Sequence, residues 1–235
     1  MIPFRRLLQI GIATLSLAAV AAAQTGFPFE NESLHYNINW PSGLGIGEAT
    51  LTAQKTAAGW DFTTNLSGGI PGFSVADRFH ASATADLGST EFERDLSQGG
   101  HHSREKTTFD QKTGRAHRIT LFPASGGQSD FDVAASARDV LTFVYFARRE
   151  LGQGRVPPQQ QIYYGGPRSI RMEYAGAQTI TADGKPTVTD HMLVHLKGPQ
   201  WSVDFDVFFA RDAARTPLSL KVPLSAGAFS LELVP

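Results

Sequence analysis

Hydrophobic and polar residues alternate with a period of two along much of the chain. Leu34, Tyr36, Ile38 and Trp40 alternate with Ser33, His35, Asn37 and Asn39, and Trp60, Phe62, Thr64 and Leu66 alternate with Asp61, Thr63 and Asn65. Phe73, Val75 and Phe79 share one parity with Ala81, Ala83 and Ala85. Trp201, Val203, Phe205, Val207 and Phe209 alternate with Ser202, Asp204, Asp206 and Phe208, and Phe229, Leu231 and Leu233 with Ser230, Glu232 and Val234. Successive side chains of a strand point to opposite faces, so each run predicts a strand with one buried face and one wetted face. Turn residues separate such runs, at Ser42-Gly43, Ala58-Gly59, Lys112-Thr113-Gly114, Ser125-Gly126-Gly127 and Asp183-Gly184. Alternating runs with turns between them predict an antiparallel meander, and Asp183-Gly184 is a two-residue hairpin signal.

One segment has a different period. Ser136-Ala137-Arg138-Asp139 has the spacing of a capping box, and Val140, Phe143, Val144, Ala147 and Leu151 then follow at helical spacing. Leu141, Tyr145 and Phe146 widen the apolar surface, Arg148 and Arg149 fall where cations complement the helix dipole, and Gly152 and Gly154 end the segment. A helix over about 137–151 is predicted, with an apolar surface that needs a sheet or a barrel mouth to cover it. The expected fold is mainly β: an antiparallel meander forming a curved sheet or barrel-like structure, with one central helix packed against it. Residues 24–235 are read as one β-rich domain in which the strands before and after the helix share a sheet system.

The first residues carry a different signal. Arg5 and Arg6 precede an apolar run from Leu7 to Val20, and Ala21-Ala22-Ala23 supplies the small residues of a cleavage site. Residues 1–23 read as a cleavable secretory signal, so the mature protein is expected outside the cytoplasm, in a periplasm or secreted. The run is too short for the roughly 20 apolar residues of a membrane span, and no later stretch approaches that length. The chain has no Cys, which excludes disulfides, thiolate metal sites and a cysteine nucleophile. Its formal charge is −1, and loss of the two signal-peptide Arg makes it more acidic, so no basic surplus points to nucleic acid.

Motifs for catalysis and for metal or cofactor binding are missing or misplaced. His191 and His195 lie on an alternating run, where residues four apart are about 13 Å apart along the strand, too far to share a zinc ion. Gly72-Phe73-Ser74-Val75-Ala76 lacks the second glycine of a serine nucleophile elbow and leads into a strand. Gly43-Leu44-Gly45-Ile46-Gly47 also leads into a strand, whereas a phosphate cradle needs a helix N-terminus. The acid pairs Asp204/Asp206 and Glu91/Glu93 read as solvated strand faces. Asp77 shares the parity of Phe73, Val75 and Phe79, so it is expected on the buried side, satisfied by a distant Arg or a backbone group. No catalytic residue, metal ligand or cofactor is assigned.

The aromatic residues remain: 16 Phe, 5 Tyr and 3 Trp. Many have inward parity, as ordinary core residues do and as the lining of an apolar cavity does. The candidate lining residues are Tyr36, Trp40, Trp60, Phe62, Phe79, Phe143, Tyr145, Trp201 and Phe205.

Several pieces of the chain also resemble one family. Phe27-Pro28-Phe29-Glu30, the run from Leu34 to Trp40 and Gly47-Glu48-Ala49-Thr50-Leu51 are similar to the opening of the bacterial domain of unknown function 3108 family, as is Asp77-Arg78-Phe79. The segment from Arg138 to Arg148 followed by Gly152-Gln153-Gly154 resembles its central helix, and Arg211 to Leu218 its late Arg-x-Pro signature. The resemblance implies an exported, predominantly antiparallel β protein of the bacterial envelope and carries no activity with it. A curved sheet with a helix on its concave side is also similar, as architecture, to periplasmic lipoprotein carriers. The first expectation is therefore a non-catalytic envelope protein holding a lipid or other apolar small molecule. The alternatives are an assembly factor that contacts another envelope protein and, third, a glycan or lipid hydrolase using acids such as Asp77 or Asp139.

Overall fold

The computed structural model describes residues 27–224 and 227–234; residues 1–23, read from sequence as an export signal, fall outside the described residues. Eight strands come first: β1 (Asn31–Asn39), β2 (Gly45–Lys55), β3 (Gly59–Ile70), β4 (Phe73–Thr84), β5 (Ser89–Gln98), β6 (His101–Asp110), β7 (Arg115–Phe122) and β8 (Gln128–Asp132). The short β9 (Arg138–Asp139) leads into α1 (Val140–Gly152). Six strands follow: β10 (Gln160–Tyr163), β11 (Pro167–Ala182), β12 (Lys185–Lys197), β13 (Ser202–Ala210), β14 (Pro217–Leu224) and β15 (Gly227–Val234).

All fifteen strands form one sheet in the order β8-β7-β6-β5-β4-β3-β2-β1-β15-β14-β13-β12-β11-β10-β9. Every neighbouring pair is antiparallel except β9 and β10. The meander and the shared sheet agree with the alternation in the sequence. β1 pairs with β15, with Tyr36 opposite Leu233 and Ile38 opposite Leu231, so strands from before and after α1 meet in mid-sheet. The best hairpin signal is also observed: Asp183 and Gly184 both have positive φ, +50° and +67°, as a primed two-residue turn requires.

The sheet curls but does not close into a continuous ladder. Its seam is bridged by single contacts. Ser89 N–H donates to Ala137 O at 2.9 Å, the Gln111 amide donates to Ser89 O and Ala137 O, and Arg118 Nη1 donates to Gly165 O. The rings of Phe109 and Phe131 pack against Tyr163 of β10 across the same seam.

The helix differs from the sequence expectation in its start. Ser136 has φ +57° and lies outside the helix, Arg138 and Asp139 are extended, and α1 begins at Val140 with Asp139 as its N-cap. The spacing of a capping box was therefore coincidental, and the acid at its last position is the cap itself. Asp139 Oδ1 accepts from Leu141 N–H at 2.8 Å and Thr142 N–H at 3.0 Å, satisfying donors that a helix start leaves free. Its Oδ2 accepts the hydroxyls of Thr142 and Ser89, and Ser89 Oγ in turn accepts Asp139 N–H. One carboxylate thus fixes the helix start to β5. Burial pushes its carboxyl above the usual range against the pull of these four bonds.

Arg148 departs further from expectation. Instead of complementing the helix dipole from the surface, it is buried at 1% exposure. Its Nη1 and Nη2 donate to the two Glu32 carboxylate oxygens at 2.6 and 2.7 Å, and its Nε donates to Ala214 O at 3.0 Å. The guanidinium lies 5.0 Å from the Tyr145 ring centroid and 5.4 Å from that of Phe29. Burial works against its charge, but the Glu32 carboxylate holds its pKa above the ordinary value. This pair ties α1 to β1 and to the loop before β14.

Candidate ligand-binding site

The register assigns every strand an inner face. Tyr36 pairs with Ala49, Ala49 with Leu66, Leu66 with Asp77, and Ile38 with both Gly47 and Leu231. These inner positions form one surface across β15, β1, β2, β3 and β4. Toward one end of the strands α1 covers it; toward the other it is open.

At the covered end the aromatics are packed. Phe62 stacks on Tyr145 of α1 with ring centroids 4.2 Å apart, and Trp60 lies on Phe62 at 6.1 Å. Tyr36 is buried beside them and donates its hydroxyl to Pro217 O at 2.8 Å. Burial raises the pKa values of Tyr36 and Tyr145, keeping both phenols neutral. Phe79 packs on Phe92 and Tyr164. Phe143 and Phe205 line a small apolar cavity of about 190 Å³ between α1 and the inner faces of β10 to β14.

At the uncovered end a trough of about 370 Å³ is lined almost wholly by carbon: Ile38, Trp40, Ile46, Leu66, Ile70, Phe73, Val75, Phe229 and Leu231. The Trp40 ring meets Phe229 edge-on at 4.6 Å. Gly68 and Gly69 contribute backbone to its lining. Gly68 pairs with Gly47, and a Cβ on Gly47 would lie 2.3 Å from Ser67 O and 2.7 Å from Gly68 Cα. These two glycines permit a close approach of β2 and β3, and they add no side chain that could fill the trough. Phe73 is 47% exposed. Its ring lies over Gly99, where a Cβ would come within 2.5 Å of it.

The trough borders polar groups on the same inner face. Val75 pairs with Gln98, whose amide donates to Asp77 Oδ2 at 2.6 Å, and Ser97 N–H donates to Asp77 Oδ1 at 3.1 Å. Asp77 is therefore buried and satisfied by a backbone group and an amide. Farther along, Arg94 donates from Nε and Nη2 to Glu105 at 3.0 and 2.7 Å and lies 5.0 Å from the Tyr164 ring centroid. Burial raises the Tyr164 pKa, and Arg94 opposes that effect.

Of the nine residues proposed from sequence, Trp40 lines the trough, and Phe143 and Phe205 line the smaller cavity. Tyr36, Phe62, Phe79 and Tyr145 lie in packed core, and Trp60, part of the same core, also borders a mixed polar and apolar pocket of about 420 Å³ beside Phe27 and Phe29. Trp201 is outside both cavities and 44% exposed, in the turn before β13, against Gly198 and Arg168. Its alternation with Val203 runs one residue past the strand. Sequence reasoning missed Ile38, Ile46, Leu66, Ile70, Phe73, Val75, Phe229 and Leu231 as lining residues. Their grouping depends on Gly47 facing Gly68, a register that no local spacing in the sequence fixes.

The histidines and paired acids are engaged elsewhere. His191 and His195 each hydrogen-bond a different acid on β13, Asp206 at 2.6 Å and Asp204 at 2.8 Å. Glu91 and Glu93 pair with Lys106 and Arg104. Among the described residues no group of three or more His, Asp or Glu could hold a metal ion, and no helix is long and apolar enough to cross a membrane.

The sequence model of the family described as Protein of unknown function (DUF3108) matches residues 34–234. A solved structure similar to this chain is the beta-barrel-like protein of domain of unknown function DUF1849 from Brucella abortus. The TM-score is 0.64 at 9% identity, covering 86% of this chain and 94% of that one, which is a likeness of fold. A protein described as a candidate lipoprotein from Parabacteroides distasonis aligns at 7% identity over 89% of this chain and 98% of its own. Its TM-score of 0.34 is too low to argue from. No curated protein matches the chain.

Proposed function

The chain belongs to the DUF3108 family of proteins of unknown function, and from that premise we propose that it is an exported envelope protein that holds the apolar part of an amphipathic ligand in the open trough of its curved sheet. The observation that carries this reading is the trough itself. Its volume of about 370 Å³ falls within the range of roughly 300–1,000 Å³ common to ligand clefts. Its lining is apolar while Ile70 and Phe73 remain exposed, a cost in water that an apolar ligand removes. The ligand's polar end would lie toward Gln98 and Asp77, the first polar groups beyond Val75. The export segment at residues 1–23 supports a role outside the cytoplasm.

The test is native mass spectrometry of the mature protein purified without detergent, with single-chain fatty acids and lysophospholipids added. Saturable binding of one amphiphile, abolished by Ile70→Asp while the unfolding midpoint is unchanged, is the expected result. Failure of the wild-type protein to take up either class overturns the reading.

A further inference from the structure

The inner face of the sheet carries arginines in register with core residues. Phe79 of β4 pairs with Arg94 of β5, and Arg94 with Glu105 of β6. Buried Phe92 of β5 pairs with Thr107, and Thr107 with Arg118 of β7. Across the seam, Arg168 of β11 pairs with buried Ile162 and shares the parity of buried Ile170 and Met172. All three arginines are half-buried. A charge drawn out of water is costly unless it is paired.

These arginines lie against one turn, residues 164–166. Arg94 is 5.0 Å from the Tyr164 ring centroid, and a Cβ on Gly165 would come within 2.2 Å of its Nη2. Arg118 Nη1 donates to Gly165 O at 2.5 Å. Arg168 Nη1 would stand 3.4 Å from a Cβ on Gly166. Arg94 and Arg168 both act on the Tyr164 phenol, opposing the effect of its burial. Gly165 has φ +64°, and without a side chain it leaves room for a guanidinium against the backbone. The turn thus gathers like charges, and their carboxylate neighbours do not balance them. Glu105 pairs with Arg94, while Asp77 accepts from Gln98 and from Ser97 N–H. Among the described residues, Arg118 and Arg168 donate only to backbone carbonyls, Gly165 O and Pro167 O, and Arg168 Nε is buried with no partner.

We propose that Arg94, Arg118 and Arg168 seat an oxyanion, a carboxylate or a phosphate ester, and that this is the headgroup of the amphiphile whose apolar chain fills the trough. The inference rests on the trough reading and adds to it the chemistry of the headgroup. Phe73 and Val75 line the trough, and the same inner face continues through Asp77 to Phe79, whose partner is Arg94. From Val75 to Phe79 is about 13 Å at the rise of a strand, a distance that part of an alkyl chain spans. Asp77 lies between, with both of its oxygens engaged. The planar guanidinium presents paired donors that match the oxygens of a carboxylate or a phosphate. An anion at the turn supplies the counter-charge that Arg118 and Arg168 lack and leaves Glu105 on Arg94.

A series of amphiphiles with one chain length tests this on the mature protein: dodecanoate, dodecyl phosphate, dodecyltrimethylammonium and the neutral glycerol monolaurate. Isothermal titration calorimetry below their micelle concentrations is expected to show both anions bound at least about tenfold more tightly than the cation and the neutral lipid. Arg168→Gln and Arg118→Gln should each remove most of that preference and leave the affinity for glycerol monolaurate unchanged. Arg78→Gln, which removes an exposed arginine from the outer face of β4, should leave the preference intact. Thermal unfolding identifies any variant whose loss is one of fold, and the wild-type series decides the headgroup class without the variants. Equal affinity for every headgroup overturns this inference and leaves the trough reading standing, whereas binding of none overturns both. A preference for the cation overturns it in favour of a headgroup on Asp77 and Glu105. An anion preference that survives both inner substitutions overturns the assignment of these arginines.

Discussion

The two ends of the inner sheet face use similar residues for opposite purposes. At one end Trp60 and Phe62 of β3 are covered by Tyr145 of α1; at the other Ile70 of β3 and Phe73 of β4 lie on the same inner face beside Trp40 and are left exposed. The difference does not come from hydrophobicity. It comes from what holds the helix at one end, namely the buried pair between Arg148 and Glu32, and from what keeps the other end hollow, namely Gly47 opposite Gly68. An inward aromatic therefore identifies the inner face without identifying a cavity.

The strongest way to break this comparison is to release the helix. Arg148→Ala leaves the Glu32 carboxylate buried without its partner and frees Ala214 O, and removing one member of a buried ion pair costs about 3–5 kcal/mol. Urea unfolding should show that loss. Glu32→Gln should cost as much, because the amide accepts only one of the two Arg148 bonds and leaves the buried guanidinium without a counter-charge.

Asp139 comes next. Asp139→Ala removes a helix cap, worth up to about 2 kcal/mol, and leaves the Ser89 and Thr142 hydroxyls without their acceptor. Asp139→Asn keeps a cap acceptor for Leu141 and Thr142, so it should retain most of the stability. If Asp139→Ala unfolds at the wild-type temperature, the carboxylate is not holding the helix start.

Strand faces were legible in the sequence because the period-two pattern survives from strand to strand: the inner set of β1 continues into β2, β3 and β4 without a break in parity. The helix was legible from its apolar spacing, but its start was not, since Ser136 and Asp139 both resemble caps and only φ separates them. Glu32 and Arg148 stand 116 residues apart, so no local spacing connects them. The trough was hidden for a related reason, because it depends on which glycine faces which, and that is fixed by register. Phe208 shows the limit of alternation: it has outward parity yet is buried, with His191 stacked on its ring at 4.7 Å and the Lys221 amine 5.4 Å from its centroid. Long polar side chains can cover an apolar residue on a wetted face.

The smallest stability effect is expected where the sequence pattern looks most core-like. Phe73 shares the parity of Val75, Phe79 and Ala81, yet it is 47% exposed and meets the Gly99 backbone rather than a packed interior. Phe73→Ser should change unfolding free energy by no more than about 0.5 kcal/mol, the range of ordinary surface substitutions. Phe62→Ala, one strand away on the same inner face, should cost about 3–5 kcal/mol. Amphiphile uptake should show the reverse order: weakened by Phe73→Ser, and in Phe62→Ala following only the loss of folded protein. Parallel urea titrations and binding measurements on the two variants separate the ends of the sheet. Equal destabilisation would mean that the open end is packed in solution, and that the trough is closed there by something the isolated chain supplies itself.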